Sequence, residues 1–135
     1  MNEEYINSLV WWAYQKNYTV IFDKDCDNSM CPESKTILIK NTNSLESQLF
    51  TLLHECGHVL IFENKSVFNF REIQSKNSKR SSTSKVFTVV EEAEAWKRGR
   101  LLANRLCIEV DEEKWNKATA RALKKYMKWC LDLPF

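Results

Sequence analysis

Residues 54–58 read His-Glu-Cys-Gly-His, and this H-E-x-x-H pattern constrains the chain more than any other feature of its sequence. On a helix, residues four apart lie almost above one another, so His54 and His58 can each offer one ring nitrogen to a single metal ion. Glu55 is rotated to the side of this pair, where its carboxylate can hydrogen-bond a water molecule and act as a general base. The pattern therefore predicts a helix, a zinc site on it and hydrolysis by water.

A chance match on an ordinary amphipathic helix is the alternative interpretation of this motif. Two features disfavour it: apolar residues flank the motif on both sides, and Gly57 lies within it. A glycine inside a helix costs about 1 kcal/mol relative to alanine, which indicates that another element or a ligand approaches closely there.

The third metal ligand cannot be a histidine, because the chain contains only two histidines and both belong to the motif. A carboxylate or a thiolate must complete the site. The longer H-E-x-x-H-x-x-G-x-x-H pattern of the metzincins also fails, since Ile61 stands at its glycine position and Asn64 at its last histidine.

Three glutamates downstream compete for the third position. Glu91 lies three residues after Thr88, the spacing of a capping box. In a capping box the Glu91 side chain would bond the start of the helix and would not be free to bind a metal. Glu94 falls on a mostly charged, water-facing stripe. Glu92 alone lies on the apolar stripe, where a carboxylate needs a partner; that stripe contains Ala95, Trp96, Gly99, Leu102, Ala103 and Leu106. We predict Glu92 as the third ligand, with the fourth position open for water; Glu91 and Glu94 remain alternatives, and Glu92 could instead merely suit the helix dipole.

The two motifs together resemble the ImmA/IrrE family of zinc metallopeptidases, which shows H-E-L-G-H followed by E-x-E-A-N-x-F-A. The resemblance covers roughly residues 18–107. It implies that His54, His58 and Glu92 bind one zinc ion and that Glu55 is the catalytic base. It also implies a zincin-like domain and an intracellular regulatory protein, such as a repressor, as substrate.

The chain departs from that family pattern at two positions beside the site. Cys56 replaces the usual leucine, and Trp96 replaces the asparagine four residues past the predicted ligand. The support of the metal ligands by neighbouring residues must therefore differ. The sequence E-A-W-x-R-G at this point resembles small family members encoded by phages and mobile elements.

Length and composition predict a single domain over residues 1–135, since a chain of this length, 44% hydrophobic, buries one core. The order of the predicted helices and strands makes it an α+β domain with a small sheet. Five irregularly spaced cysteines favour reduced thiols and a cytoplasmic location. Cys26 and Cys31 could contribute to a second metal site, or one of them could supply the fourth ligand that a structural zinc site requires. The C-x4-C spacing alone is weak evidence for a metal site. No segment has the length of a membrane span or of a signal peptide.

Patterning predicts a helix from Asn2, strands over 18–22 and 35–40 joined by a polar turn, and a metal-binding helix from a cap at Asn43 to about residue 62. A second ligand helix follows to about residue 107, and a last helix covers 111–131. The strand 36–39 fits an edge that pairs with substrate as well as it fits a core strand.

The polar segment 71–85 between the ligand helices reads either as a mobile surface loop or as a lid. The last helix has a predicted buried stripe of Trp115, Ala118, Ala122, Tyr126 and Trp129. Its lysine-rich face is explained by solvation, and we expect no nucleic-acid binding.

These observations predict zinc-assisted hydrolysis of peptide bonds in an intracellular protein, with Glu55 moving the proton. Either Tyr126 or a basic residue of 71–85 would stabilise the oxyanion. Two alternatives stay open: a metal-binding regulatory protein without activity, and a zinc hydrolase of a non-protein amide.

Overall fold

The computed structural model describes residues 1–64 and 82–132. The elements in these ranges are α1 (Asn2–Gln15), β1 (Thr19–Asp23), β2 (Ser29–Cys31), β3 (Thr36–Lys40), α2 (Leu45–Glu63), α3 (Ser82–Arg105) and α4 (Glu112–Leu131). Helices and a small sheet together confirm the predicted α+β class. Most of the predicted 71–85 connection lies outside the described residues.

The sheet has the strand order β1-β3-β2, with β1 parallel and β2 antiparallel to β3. Ile37 of β3 lies opposite both Val20 and Met30. Of the two interpretations left open for β3, an edge strand or a core strand, the structure supports the core strand, because β3 is paired on both sides and Ile37 and Ile39 are both 0% exposed. β2 was also missed, because three residues inside a polar segment carry too little alternation to indicate a strand.

Two helices begin at side-chain caps. Ser44, one residue after the predicted cap Asn43, accepts a hydrogen bond from the Ser47 backbone N–H at 3.2 Å and starts α2. Asp111 accepts one from the Lys114 backbone N–H at 3.1 Å and starts α4. Both caps satisfy backbone donors that a helix start leaves unpaired.

The start of α3 lies six residues before the predicted one. Thr88 is inside the helix, where its hydroxyl donates to the Ser84 carbonyl at 3.2 Å, so the capping-box interpretation of Thr88 and Glu91 was wrong. Lys85 is buried and donates to the carbonyl of Trp129 at 3.3 Å. This contact stabilises the first turns of α3, because it ties them to the negative end of α4.

Two glycines allow α2 and α3 to pack with their backbones in contact. A Cβ at Gly57 would lie only 2.8 Å from the carbonyl carbon of Ala95 and would collide with that carbonyl group. A Cβ at Gly99 would lie 2.8 Å from the carbonyl carbon of Leu53. The close approach that Gly57 indicated is thus made by another helix. As a result, the motif on α2 lies directly against the glutamates of α3.

The predicted buried stripe of α4 is only partly confirmed. Trp115 is buried, while Ala118, Ala122 and Tyr126 are half-buried. Trp129 is 40% exposed, and its ring packs instead under the Lys85 ammonium, 4.4 Å from the ring centroid. None of the helices in the described ranges has the length and apolar character needed to cross a membrane.

Candidate metal centre

His54 and His58 of α2 both direct their Nε2 atoms at one carboxylate, that of Glu92 on α3. The distances are 3.1 Å from His54 Nε2 to Glu92 Oε1 and 2.6 Å from His58 Nε2 to Glu92 Oε2. All three side chains are largely removed from solvent. The helix crossing at Gly57 therefore brings together the three residues predicted as ligands.

Electrostatics hold this cluster in a charged, paired state. Burial by itself would raise the pKa of Glu92, but hydrogen bonds from His54 and His58 hold that pKa well below its usual range. Burial would lower the pKa of His58, yet the hydrogen bond with Glu92 and the charges of Glu92, Glu55 and Glu91 raise it above its ordinary value. A proton on His58 thus compensates the buried carboxylate.

The donor atoms fit a divalent metal ion. With metal–ligand bonds of roughly 2.0–2.2 Å, two ligand atoms of a tetrahedral zinc site lie about 3.3–3.6 Å apart. The His54–Glu92 separation of 3.1 Å is close to this value, and the His58–Glu92 separation of 2.6 Å is shorter, since these two side chains share a direct hydrogen bond. Two imidazoles and one carboxylate are also a ligand set of catalytic zinc sites. An ion in this position would take over the charge compensation that the His58 proton provides.

Glu55 lies beside these three residues, at a greater distance. Its Oε1 is 3.8 Å from His54 Nδ1 and 4.0 Å from His58 Nε2, longer than hydrogen bonds. The donor atoms of His54, Glu55 and His58 all lie within 4.8 Å of one another, so Glu55 is within reach of the same space as the ligands. Glu92 is closer to both Nε2 atoms, so Glu55 lies beside the contact of Glu92 with the two histidines and not within it.

The other two glutamates of α3 have different surroundings. Glu94 is partly exposed and forms an ion pair with Arg98 at 2.9 Å, as its charged stripe predicted. Glu91 is buried and lines a cavity beside the histidines, so it contributes negative charge to the site. The sequence offered no separate signal for this role, because its capping-box spacing pointed elsewhere.

Trp96, four residues past Glu92, contacts the first histidine. Its ring stacks on His54, with centroids 4.6 Å apart and planes 16° from parallel, and meets Trp115 edge-on at 5.0 Å. Its indole Nε1 is buried and has no hydrogen-bond partner among residues 1–64 and 82–132. Sequence reasoning missed this contact, although the four-residue spacing from Glu92 placed both on one helix face.

Two cavities meet at the cluster, and both are lined by His54, Glu55, Glu92 and Tyr126. The larger, of about 480 Å³, extends between α2 and α4. The smaller, of about 210 Å³, extends towards β2, where Ser29 and Met30 contribute to its wall alongside Asn28, His58 and Glu91. The cluster thus lies on the floor of a continuous cleft.

Tyr126 lines both cavities from the side of α4. Burial, the charge of Glu92 and a hydrogen bond to it raise the pKa of the Tyr126 phenol above its ordinary value, so the hydroxyl keeps its proton. The alternative oxyanion donor was a basic residue of 71–85. Among these basic residues the structure describes only Lys85, which contacts Trp129 and does not line either of the two cavities.

The cysteines lie apart from the histidine cluster or are inert. Cys56 is fully buried in the core, and burial with the nearby Glu55 charge raises the pKa of its thiol. Cys26 contacts the carbonyl of Asp23 at 3.4 Å, and Cys31 contacts Glu33 at 3.3 Å. Within the described ranges, the group of potential metal ligands contains neither.

Residues 14–93 match the model of a peptidase family, Peptidase_M78, described as the IrrE N-terminal-like domain. Comparison with curated proteins and with solved structures gives no significant match. The match covers more than half of the chain and contains both the H-E-x-x-H motif and Glu92, the parts that carried the resemblance to ImmA/IrrE peptidases. The chain therefore belongs to the M78 peptidase family.

Proposed function

We propose that this protein is a zinc-dependent peptidase that hydrolyses peptide bonds of an intracellular protein, such as a transcriptional regulator. One observation supports this proposal above others: two imidazole nitrogens of α2 converge on the buried carboxylate of Glu92, with a second carboxylate, Glu55, beside them. This arrangement separates three metal-binding groups from one proton-transfer group, as water-mediated hydrolysis requires.

His54, His58 and Glu92 would hold one zinc ion. When bound, zinc supplies Lewis acidity, which lowers the pKa of a water molecule towards ~7 and polarises a carbonyl group. Two histidines and one carboxylate with an open fourth position are a ligand set of catalytic zinc sites, and the H-E-x-x-H spacing on a helix is typical of zinc. Trp96 keeps the His54 ring in its orientation through the stacking contact.

Glu55 would transfer the protons, and Tyr126 would stabilise the oxyanion. Glu55 accepts the proton of the attacking water and passes it to the nitrogen of the leaving amine, which restores the carboxylate. Tyr126 is on the opposite wall of the same cleft, where its hydroxyl can donate a hydrogen bond to the developing oxyanion. Both side chains line the two cavities that meet at the cluster.

An extended substrate would be held at the outer strand β2. Ser29 and Met30 of this strand line the smaller cavity together with His54 and His58. β2 is bonded to β3 on one side and is an outer strand of the described sheet. A peptide that pairs with such a strand gains backbone hydrogen bonds independently of its sequence. β2 thus takes the role that the sequence had suggested for β3.

The test of this function is peptide cleavage by the zinc-loaded protein and by two carboxylate variants. A mixed peptide library, read by mass spectrometry, is incubated with wild type, Glu55→Gln and Glu94→Gln. We expect cleavage by wild type, a loss of about a thousandfold in Glu55→Gln, which lacks the general base, and wild-type rates in Glu94→Gln, a matched change at the surface. Failure of the zinc-loaded wild type to cleave any peptide would contradict the proposal and favour a metal-binding regulatory protein.

A further inference from the structure

The cleft beside the metal centre has a wall that the family match does not include. The match ends at residue 93, whereas α4 begins at Glu112. This helix nevertheless lines the larger cavity of about 480 Å³ together with the metal-centre residues of α2 and α3. The family match therefore does not describe α4, although this helix can determine what enters the cleft.

Small residues of α4 keep the larger cavity open. Ala118, Ala122 and Tyr126, four residues apart along the helix, face it in turn. Trp115, one turn earlier, is buried against Trp96 and fixes this end of α4 on the core. Because the two alanine side chains are short, space remains between α4 and the motif-bearing face of α2.

Four cations line the same cavity from α4: Lys114, Lys117, Arg121 and Lys125. The first two have carboxylates nearby, since Lys114 lies 3.6 Å from Glu46 and Lys117 lies 3.2 Å from Glu113. Within 1–64 and 82–132, no ion pair involves Arg121 or Lys125. The part of the wall nearest Tyr126 thus presents unneutralised positive charge to the cleft.

The position of these cations, and not their exposure, distinguishes them from the other basic residues of α4. Lys117, Arg121 and Lys125 are four residues apart, and like charges at this spacing repel each other on a helix surface, although Glu113 offsets the charge of Lys117. Lys124 and Lys128 are likewise exposed but do not line the cavity. The cationic row is thus the part of the solvated basic face that borders the cleft.

We propose that this basic wall, formed by Lys117, Arg121 and Lys125, binds acidic side chains of the peptide substrate. The inference rests on the proposed peptidase function and specifies its substrate class. Lys117, Arg121 and Lys125 lie nine, five and one residues before Tyr126, which is about 13.5, 7.5 and 1.5 Å along a helix, and an extended peptide advances about 3.3 Å per residue. For a peptide that runs along α4, the recognised Asp or Glu residues therefore lie within roughly four residues of the cleaved bond, on one side of it.

The test measures peptide binding separately from peptide cleavage. Fluorescence anisotropy compares a labelled ten-residue peptide of alternating Glu and Ala with the same peptide carrying Gln in place of Glu. The receptor is the full-length, zinc-loaded protein with Glu55→Gln, to which either Arg121→Gln with Lys125→Gln or, as the matched control, Lys124→Gln with Lys128→Gln is added. A DNA duplex of ten base pairs, carrying the same label, is the third probe.

We expect the acidic peptide to bind at least tenfold more tightly than the Gln peptide at 50 mM salt. The preference should fall towards equality in the Arg121 and Lys125 variant, persist in the control, and shrink as salt screens the charges. Equal binding of the two peptides would overturn the inference. So would tighter binding of the duplex that is lost in the Arg121 and Lys125 variant, which would make the wall a nucleic-acid surface. Either result leaves the peptidase proposal to be decided by the cleavage experiment.

Discussion

At the scale of single residues, the central feature is a buried carboxylate between two imidazole rings. Glu92 is 6% exposed, and its two oxygens contact His54 and His58 separately. A buried charge that loses its partners costs about 3–5 kcal/mol. The same residues thus stabilise the metal-free protein through ion pairing and can hold a metal ion through their lone pairs.

We expect Trp96 to act as a positioning residue, because its ring stacks on His54, although it also lines the larger cavity. We expect Trp96→Leu to weaken zinc affinity by roughly tenfold or more, since the His54 ring loses the face that orients it. Trp96→Phe, which keeps an aromatic face, should lose less. Competition against a zinc-responsive dye measures both. Wild-type affinity in the leucine variant would show that the stacking does not support the ligand.

Tyr126 carries a separate expectation about the chemical step. Tyr126→Phe removes only the hydroxyl, so we expect kcat to fall about a hundredfold, with KM and zinc content little changed. Tyr14→Phe, an exposed tyrosine of α1, is the matched control. Steady-state kinetics on a peptide that the wild type cleaves measure kcat and KM for each variant. A wild-type kcat in Tyr126→Phe would place the oxyanion donor elsewhere.

At the scale of elements, the backbone contact between α2 and α3 determines whether the site can form. Gly57→Ala should destabilise the protein by about 1–3 kcal/mol, because the new methyl group collides with the Ala95 carbonyl and the helices must separate. Gly99→Ala should act in the same direction through Leu53. Thermal unfolding measures both. Helix propensity alone would stabilise both variants, so a higher midpoint would contradict the packing argument.

The elements that could be predicted from sequence are those whose local signals agree with their packing. α1, α2 and α4 start within two residues of their predicted positions. In α2 and α4 a capping residue and apolar periodicity coincide, whereas α1 has no side-chain cap and was placed by its apolar periodicity. The start of α3 was misplaced because Thr88 can cap a helix or bond within one. The long-range contact of Lys85 with Trp129 favours the earlier start, in which Thr88 bonds within the helix, and this contact cannot be read from the local sequence.

The site shows the same limit. The motif supplied His54, Glu55 and His58, and helical periodicity placed Glu92 on the face that meets them. The contact of Trp96 with His54, the burial of Glu91 and the cleft wall of α4 depend on how separate elements pack. No local spacing encodes those relations, and the order of strands in the sheet is unpredictable for the same reason.

At the scale of the whole molecule, the cluster joins α2 and α3 and therefore links metal content to global stability. Chelation should lower the unfolding midpoint by roughly 10 °C, as expected for a ligand present at about a thousand times its Kd. The protein should remain folded, because His58 and Glu92 still pair without the ion. Calorimetry with and without EDTA, followed by zinc addition, measures this. An unchanged midpoint would argue against a metal bound to the folded chain.

The zinc content of the purified protein tests the proposed ligand set most directly. Elemental mass spectrometry would measure it for wild type, His58→Ala, Glu92→Gln and Glu55→Gln. We expect one zinc per chain in wild type and in Glu55→Gln, and a large loss in the other two. A wild type that binds no zinc when the metal is supplied would contradict the proposed zinc site. A Glu92→Gln variant that retains zinc while Glu55→Gln loses it would exchange the roles of the two carboxylates.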